Sequence, residues 1–225
     1  MSTTNRKAYT FEMNLVSANI LSIIIFLLFS VLTVSIFGFQ NMFEHPFSLT
    51  ILLSYFALHE VLHGIGFYLG GVKLSNIVYG ILLEKGIFYC MAYQEVSKKN
   101  ILISLQMPFM VIGVITYIIS ILFHLPFLAW LSVVNIMGAS MDLVMFYIIW
   151  RIPDVTYSES GKPNEFVLIS AQNLKKKSLF LRLKDVKDYK KEDYVFHGFK
   201  RFTITKSSFI VLIILILLDI LSFCL

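Results

Sequence analysis

Apolar residues fall along the chain in five long blocks, at 15–39, 47–69, 101–123, 127–150 and 208–225. A helix that spans a bilayer needs roughly 20 consecutive, mostly apolar residues. Each block therefore predicts a transmembrane helix, the last being the shortest. The second is the least uniform, because two histidines and a glutamate interrupt it. Residues 72–100 alternate apolar and polar positions in places, with turn signals at Gly80 and at Lys85-Gly86. That pattern predicts a β-hairpin or a membrane-associated loop. Residues 151–206 open with Pro153, Gly161 and Pro163 and then give strand-like runs at 166–169 and 179–183.

Composition supports a membrane protein. The chain has 225 residues, of which 57% are apolar, and its mean hydropathy of +0.78 is too high for an ordinary soluble domain. The first block is too long for the core of a signal peptide, and no small-residue cleavage site follows it, so it is expected to be retained. Cys90 and Cys224 lie far apart and suggest neither a disulfide framework nor a cysteine zinc site. The formal net charge is +5, and its placement matters more than its size. Arg6 and Lys7 precede the first block. Lys73, Lys85, Lys98 and Lys99 lie between the second and third, and the other thirteen of the nineteen basic residues lie in 151–206. The links 41–46 and 124–126 have none. Basic residues mark the cytoplasmic side, which predicts five spans with the N-terminus inside and the C-terminus outside. Lys175-Lys176-Lys177 and Lys190-Lys191 read as a solvated face near anionic lipid. No nucleic-acid module accompanies them. The expected fold is an all-α membrane protein: a bundle of about five transmembrane helices, a small cytoplasmic β-hairpin and a basic cytoplasmic segment. Residues 1–150 would form a membrane core holding a metal site, 151–207 the basic segment and 208–225 a C-terminal transmembrane helix.

The chemistry is concentrated at His59-Glu60-Val61-Leu62-His63. Positions i and i+4 share a helix face, so His59 and His63 can bind one metal ion from the same side. Glu60 can then act as general base toward water on that ion. Zinc lowers the pKa of such water to about 7. Imidazole and carboxylate groups inside an apolar span cost several kcal/mol unless paired or coordinated, so their presence there points to function. The plainer alternative is a pair of buried packing histidines.

A catalytic zinc takes three protein ligands, and the third must come from another span at similar depth. Counted from the outer side, His59 and His63 lie about 18 and 24 Å along their helix, and Asp142 lies about 22 Å along the fourth span. Asp142 is the favoured third ligand, and Asp219 in the last span is the rival. Asn135 is seven residues, about two turns, before Asp142 and is expected on the same face. It could contact substrate or an oxyanion, or make an interhelical hydrogen bond. Gly64, Gly66, Gly70 and Gly71 would permit close approach of a neighbouring helix or an extended substrate. His45, His124 and His197 read as surface histidines.

At these residues the chain resembles the putative zincin peptidase family of small bacterial multi-pass membrane proteins. The resemblance rests on His59-Glu60-Val61-Leu62-His63-Gly64-Ile65-Gly66-Phe67 and on Gly138-Ala139-Ser140-Met141-Asp142-Leu143. That family is similar in turn to site-two-type intramembrane metalloproteases. The resemblance implies Zn2+ held by His59, His63 and Asp142, with Glu60 as base. This chain departs from the wider pattern: no proline lies between Asn135 and Asp142, and Leu143 replaces the usual glycine.

The expected function is thus a zinc-dependent intramembrane metalloprotease of the HExxH type in the cell membrane, its site toward the cytoplasmic leaflet. Its partners would be the lipid bilayer and a membrane protein or peptide substrate, with no nucleic acid. The alternative is a non-proteolytic zinc-binding adaptor or immunity-type protein. A metal transporter or sensor fits less well, because spans one and three lack a polar path.

Overall fold

The computed structural model describes residues 6–39, 49–82, 87–160, 165–174 and 179–188. The expected span at 208–225, together with Asp219, lies outside the described residues, as do His45, His197 and the Lys85-Gly86 turn.

Helix α1 spans Leu15–Phe37, and α2 spans Leu49–Leu69. The side chain of Asn14 caps α1 by accepting from the Ser17 amide, which satisfies one of the donors a helix start leaves open. Gly38, with φ +81°, ends it by donating to the Val34 carbonyl. Between those caps the side chains are mostly apolar, and one face points outward: Val16 is 69% exposed and Leu28 and Val31 are 67% exposed. A face of that kind is a liability in water and the ordinary condition in lipid.

The next apolar stretch runs from Lys98 to Leu122 as three joined pieces. These are α3 (Lys98–Pro108), a π-helical segment (Phe109–Ile115) and α4 (Thr116–Leu122). Pro108 lies inside the run and has no amide N–H, and the ladder widens directly after it. Helices α5 (Pro126–Gly138) and α6 (Ser140–Arg151) follow. The sequence predicts one continuous helix over 127–150; the structure breaks it at Ala139 with a 48° bend. Helices 15–37, 51–69 and 98–122 are each long and apolar enough to cross a membrane, and the bent pair would make a fourth span. Helices α1, α4 and α5 pack through Phe37, Tyr117, Ala129, Trp130 and Val133. Thr33 meets Tyr117 at 3.0 Å and Thr116 meets Ser132 at 2.6 Å between helices, contacts worth about 0.6–2 kcal/mol each in lipid.

The expected all-α class is wrong: the fold is mixed α/β. Strands β1 (Lys7–Met13), β4 (Val96–Ser97), β5 (Val155–Glu159), β6 (Glu165–Ser170) and β7 (Leu181–Asp188) form a five-stranded antiparallel sheet in the order β4-β5-β6-β1-β7. Strands β2 (Ile77–Leu82) and β3 (Ile87–Ala92) form a separate antiparallel hairpin. Within it Gly80 lies mid-strand opposite Tyr89, so it does not make the expected turn. Strand β1 precedes the first helix yet pairs with β6 and β7, more than 150 residues away. Such pairing leaves no trace in local periodicity. Side chains alternate across a strand. Tyr9, Phe11, Phe166, Leu168 and Leu181 accordingly join Phe67, Ile101, Leu105 and Ile149 of the helices in one core, while Ala8, Val167 and Ile169 cluster on the other face. The sheet thereby clamps the ends of α2, α3 and α6, the helices that carry the site.

Candidate metal centre

Helix α2 carries His59, Glu60 and His63, and its spacing puts both imidazoles on one face. Its fit against α3 depends on two missing side chains. A Cβ at Gly66 would lie 2.5 Å from the Ser104 Cα, and one at Gly70 would lie 2.8 Å from the Asn100 Cα. The helices approach closely enough for reciprocal bonds. Nδ1 of His63 meets the Ser104 carbonyl at 2.9 Å, and the Ser104 hydroxyl donates to the His63 carbonyl at 2.9 Å. The Ser104 carbonyl is free because its helical partner would be the amide of residue 108, which is proline.

His59 is fixed by another device. The amide nitrogen of Asn135 donates to the Pro108 carbonyl at 3.0 Å, which turns its oxygen toward Nδ1 of His59 at 2.8 Å. A carbonyl can only accept, so both Nδ1 atoms carry a proton, and in the neutral rings both Nε2 atoms present lone pairs. Pro108 thus serves the site twice: its missing N–H leaves Ser104 to His63, and its own carbonyl orients Asn135.

The two Nε2 atoms converge on Asp142. They are 3.1 Å apart, and the Asp142 Oδ2 lies 3.3 Å from His59 Nε2 and 3.4 Å from His63 Nε2. Asp142 arrives there in the first turn of α6, where the helix dipole favours negative charge. The break at Ala139 creates that turn. Asn135 and Asp142 consequently stand on helices bent 48° apart and reach the two ring nitrogens of one imidazole, rather than sharing one face of a straight helix.

Three acceptors packed this closely repel one another unless a proton or a metal cation joins them. Zinc bonds of about 2.0–2.1 Å in tetrahedral geometry require ligand atoms about 3.3–3.4 Å apart. Two edges of the observed triangle, 3.3 and 3.4 Å, have that length and the third, 3.1 Å, is 0.2 Å shorter, so these residues fit zinc. The ligand atoms of His59, Glu60 and His63 also lie within 4.8 Å of one another. Glu60 stands beside the triangle rather than in it. It lines a cavity with Phe56, His59, Phe88, Asn135 and Gly138, and its carboxylate is hydrogen-bonded by the backbone of Cys90 on β3. The hairpin therefore roofs the site, and Tyr79 anchors it by donating to the Val61 carbonyl at 3.4 Å. His124 lies away from the centre, against Phe37.

Sequence reasoning missed Ser104 and Pro108, for which the only signal was a proline inside a predicted helix. It also missed Glu159 at the end of β5. The Tyr157 hydroxyl donates to its carboxylate at 2.8 Å. Burial pushes the Glu159 carboxyl up to about 7, against the lowering effects of the Tyr157 bond and of nearby His63, with Glu60 adding a smaller upward push. The sheet thus brings a third carboxylate, beside those of Asp142 and Glu60, within electrostatic reach of the centre. Burial likewise raises the Cys90 thiol well above its ordinary range.

Residues 51–157 match the model of a family described as putative zincin peptidase. It is the family that the motif resembles, and the matched stretch contains His59, Glu60, His63, Asn135 and Asp142. No curated protein matches the chain, and no solved structure does.

Proposed function

We propose, with the family match over 51–157 as premise, that this protein is a zinc-dependent metallopeptidase. It would work inside the membrane, hydrolysing a peptide bond in a membrane-embedded or membrane-adjacent substrate. The observation that carries this reading is the triangle of His59 Nε2, His63 Nε2 and Asp142 Oδ2 with edges of 3.1–3.4 Å, standing beside a glutamate that faces a cavity.

His59, His63 and Asp142 would hold the ion. When bound, zinc supplies Lewis-acid chemistry, polarising the scissile carbonyl and acidifying water. Glu60 takes the proton of the attacking water and passes it to the leaving amine. Asn135 and the Ser104 carbonyl keep both imidazoles in the tautomer that leaves Nε2 bare, as outer partners of metal-bound histidines do. A substrate helix has to unwind locally before it can be cut, since its peptide groups are bonded to one another. Water and substrate would reach the site from the side of the sheet, where Glu159 and the hairpin lie. The one-sided distribution of Lys and Arg makes that side cytoplasmic.

The test is elemental analysis of the full chain purified in detergent, with cleavage of a peptide mixture read by mass spectrometry. Wild type is expected to carry about one zinc per chain, lost in His59→Ala and Asp142→Ala and kept in Asp219→Ala. Glu60→Gln should keep the zinc and lose cleavage. A folded wild type without metal defeats the reading. Zinc binding with no cleavage by wild type would instead leave a zinc-binding adaptor.

A further inference from the structure

The cavity beside the centre measures about 210 Å³. That is below the roughly 300–1,000 Å³ of small-molecule sites, yet several times the roughly 30 Å³ that one water occupies in the liquid. It has the scale of one large side chain. Its wall comes from three elements. Phe56 precedes Glu60 by one turn on α2, Gly138 follows Asn135 by one turn on α5, and Phe88 reaches in from β3. The polar members His59, Glu60 and Asn135 are contiguous, because His59 bonds Asn135 at 2.8 Å and precedes Glu60 in the chain. The rest of the wall is two aromatic rings and a residue with no side chain. A Cβ at Gly138 would meet no atom within 4 Å, so the space there is open rather than packed.

Resting on the peptidase reading, we infer that this cavity is the subsite for one large apolar side chain, Phe, Leu or Met in type, beside the scissile bond of the peptide substrate, and that Gly138 and Phe88 set its size. Two aromatic rings favour an apolar occupant. Glu60 at the polar end repels an acidic side chain. A basic one would pair with Glu60 and remove the base the reaction needs. A methylene more or less in such a pocket changes discrimination by about 10–200-fold.

The experiment uses the zinc-loaded full chain in detergent and a proteome-derived peptide library, with cut sites read by mass spectrometry. Wild type should enrich Phe, Leu and Met at one position flanking the cut. Gly138→Leu should keep its zinc and lower cleavage after or before those residues by about tenfold or more, moving the preference to Ala and Ser. Phe88→Ala should weaken the preference for large residues, and serves if Gly138→Leu does not fold. Cleavage by wild type with no side-chain preference, or a preference unchanged in both variants, overturns the subsite while leaving the peptidase standing. Absence of cleavage by zinc-loaded wild type overturns the peptidase reading and the subsite with it.

Discussion

The Nδ1–H of His63 donates to the Ser104 carbonyl at 2.9 Å, four residues before Pro108, which has no N–H to offer that carbonyl. A local defect in α3 is therefore the anchor of a metal ligand in α2. Pro108→Ala would restore a competing donor and improve helix propensity. It should nevertheless loosen the imidazole and weaken zinc affinity by about 10–100-fold, the usual effect of losing such an outer partner. Competition with a chelator of known affinity measures this. An unchanged zinc dissociation constant would show that the Ser104 bond survives without the proline.

Asn135 is 3% exposed, and both ends of its amide are engaged, with His59 and with Pro108. Asn135→Leu removes the acceptor that fixes the His59 tautomer, and the expected loss of zinc affinity is again about 10–100-fold. Asn135→Asp keeps an acceptor for Nδ1 but gives up the donor to Pro108, so it should recover part of that loss. Equal affinity in the two variants would mean that the amide shapes the helix contact and not the imidazole.

The motif was legible because it is local. One helical turn fixes the relation of His59 to His63, and an apolar span makes any charge within it conspicuous. Asp142 was legible for the same reason, as the sole carboxylate in its span. The strand-like runs at 166–169 and 179–183 and the hairpin within 72–100 were visible as elements. The sheet was not, since its strand order depends on β1 meeting β6 and β7 across the whole chain. The bend at Ala139 was hidden for another reason. Gly138-Ala139-Ser140 reads as an ordinary small-residue stretch, and its neighbours, rather than its composition, decide that it breaks. Glu159 escaped notice because a carboxylate in a charged segment carries no mark of burial until Tyr157 and the core are folded over it.

Gly66 supports the centre through space alone. Any Cβ there would sit 2.5 Å from the backbone of Ser104, and backbone cannot rotate away as a side chain can. Gly66→Ala should therefore push α2 and α3 apart, at a cost of about 1–3 kcal/mol for overpacking, although alanine is the better helix former. The two His63–Ser104 bonds would lengthen together. The expected readout is a lower Tm accompanied by weaker zinc binding. A Tm drop with zinc affinity intact would separate helix packing from ligand orientation.

Glu159 gives the protein a pH dependence whose sign follows from its shift. Burial lifts its carboxyl from an ordinary 4.5 to about 7, so the folded chain holds a proton there that the unfolded chain has already released. Stability from this group is greatest below about pH 4.5, falls as pH rises through that window, and the full cost is in place above about pH 7. A shift of this size corresponds to at most about 3 kcal/mol at 1.36 kcal/mol per unit. Glu159→Gln keeps an oxygen to accept from the Tyr157 hydroxyl and cannot ionise. It should raise Tm at pH 8 and bring a much smaller gain near pH 5, as thermal unfolding in detergent at the two pH values would show. A gain of the same size at both would mean that the side chain's packing, and not its charge, limits stability at that position.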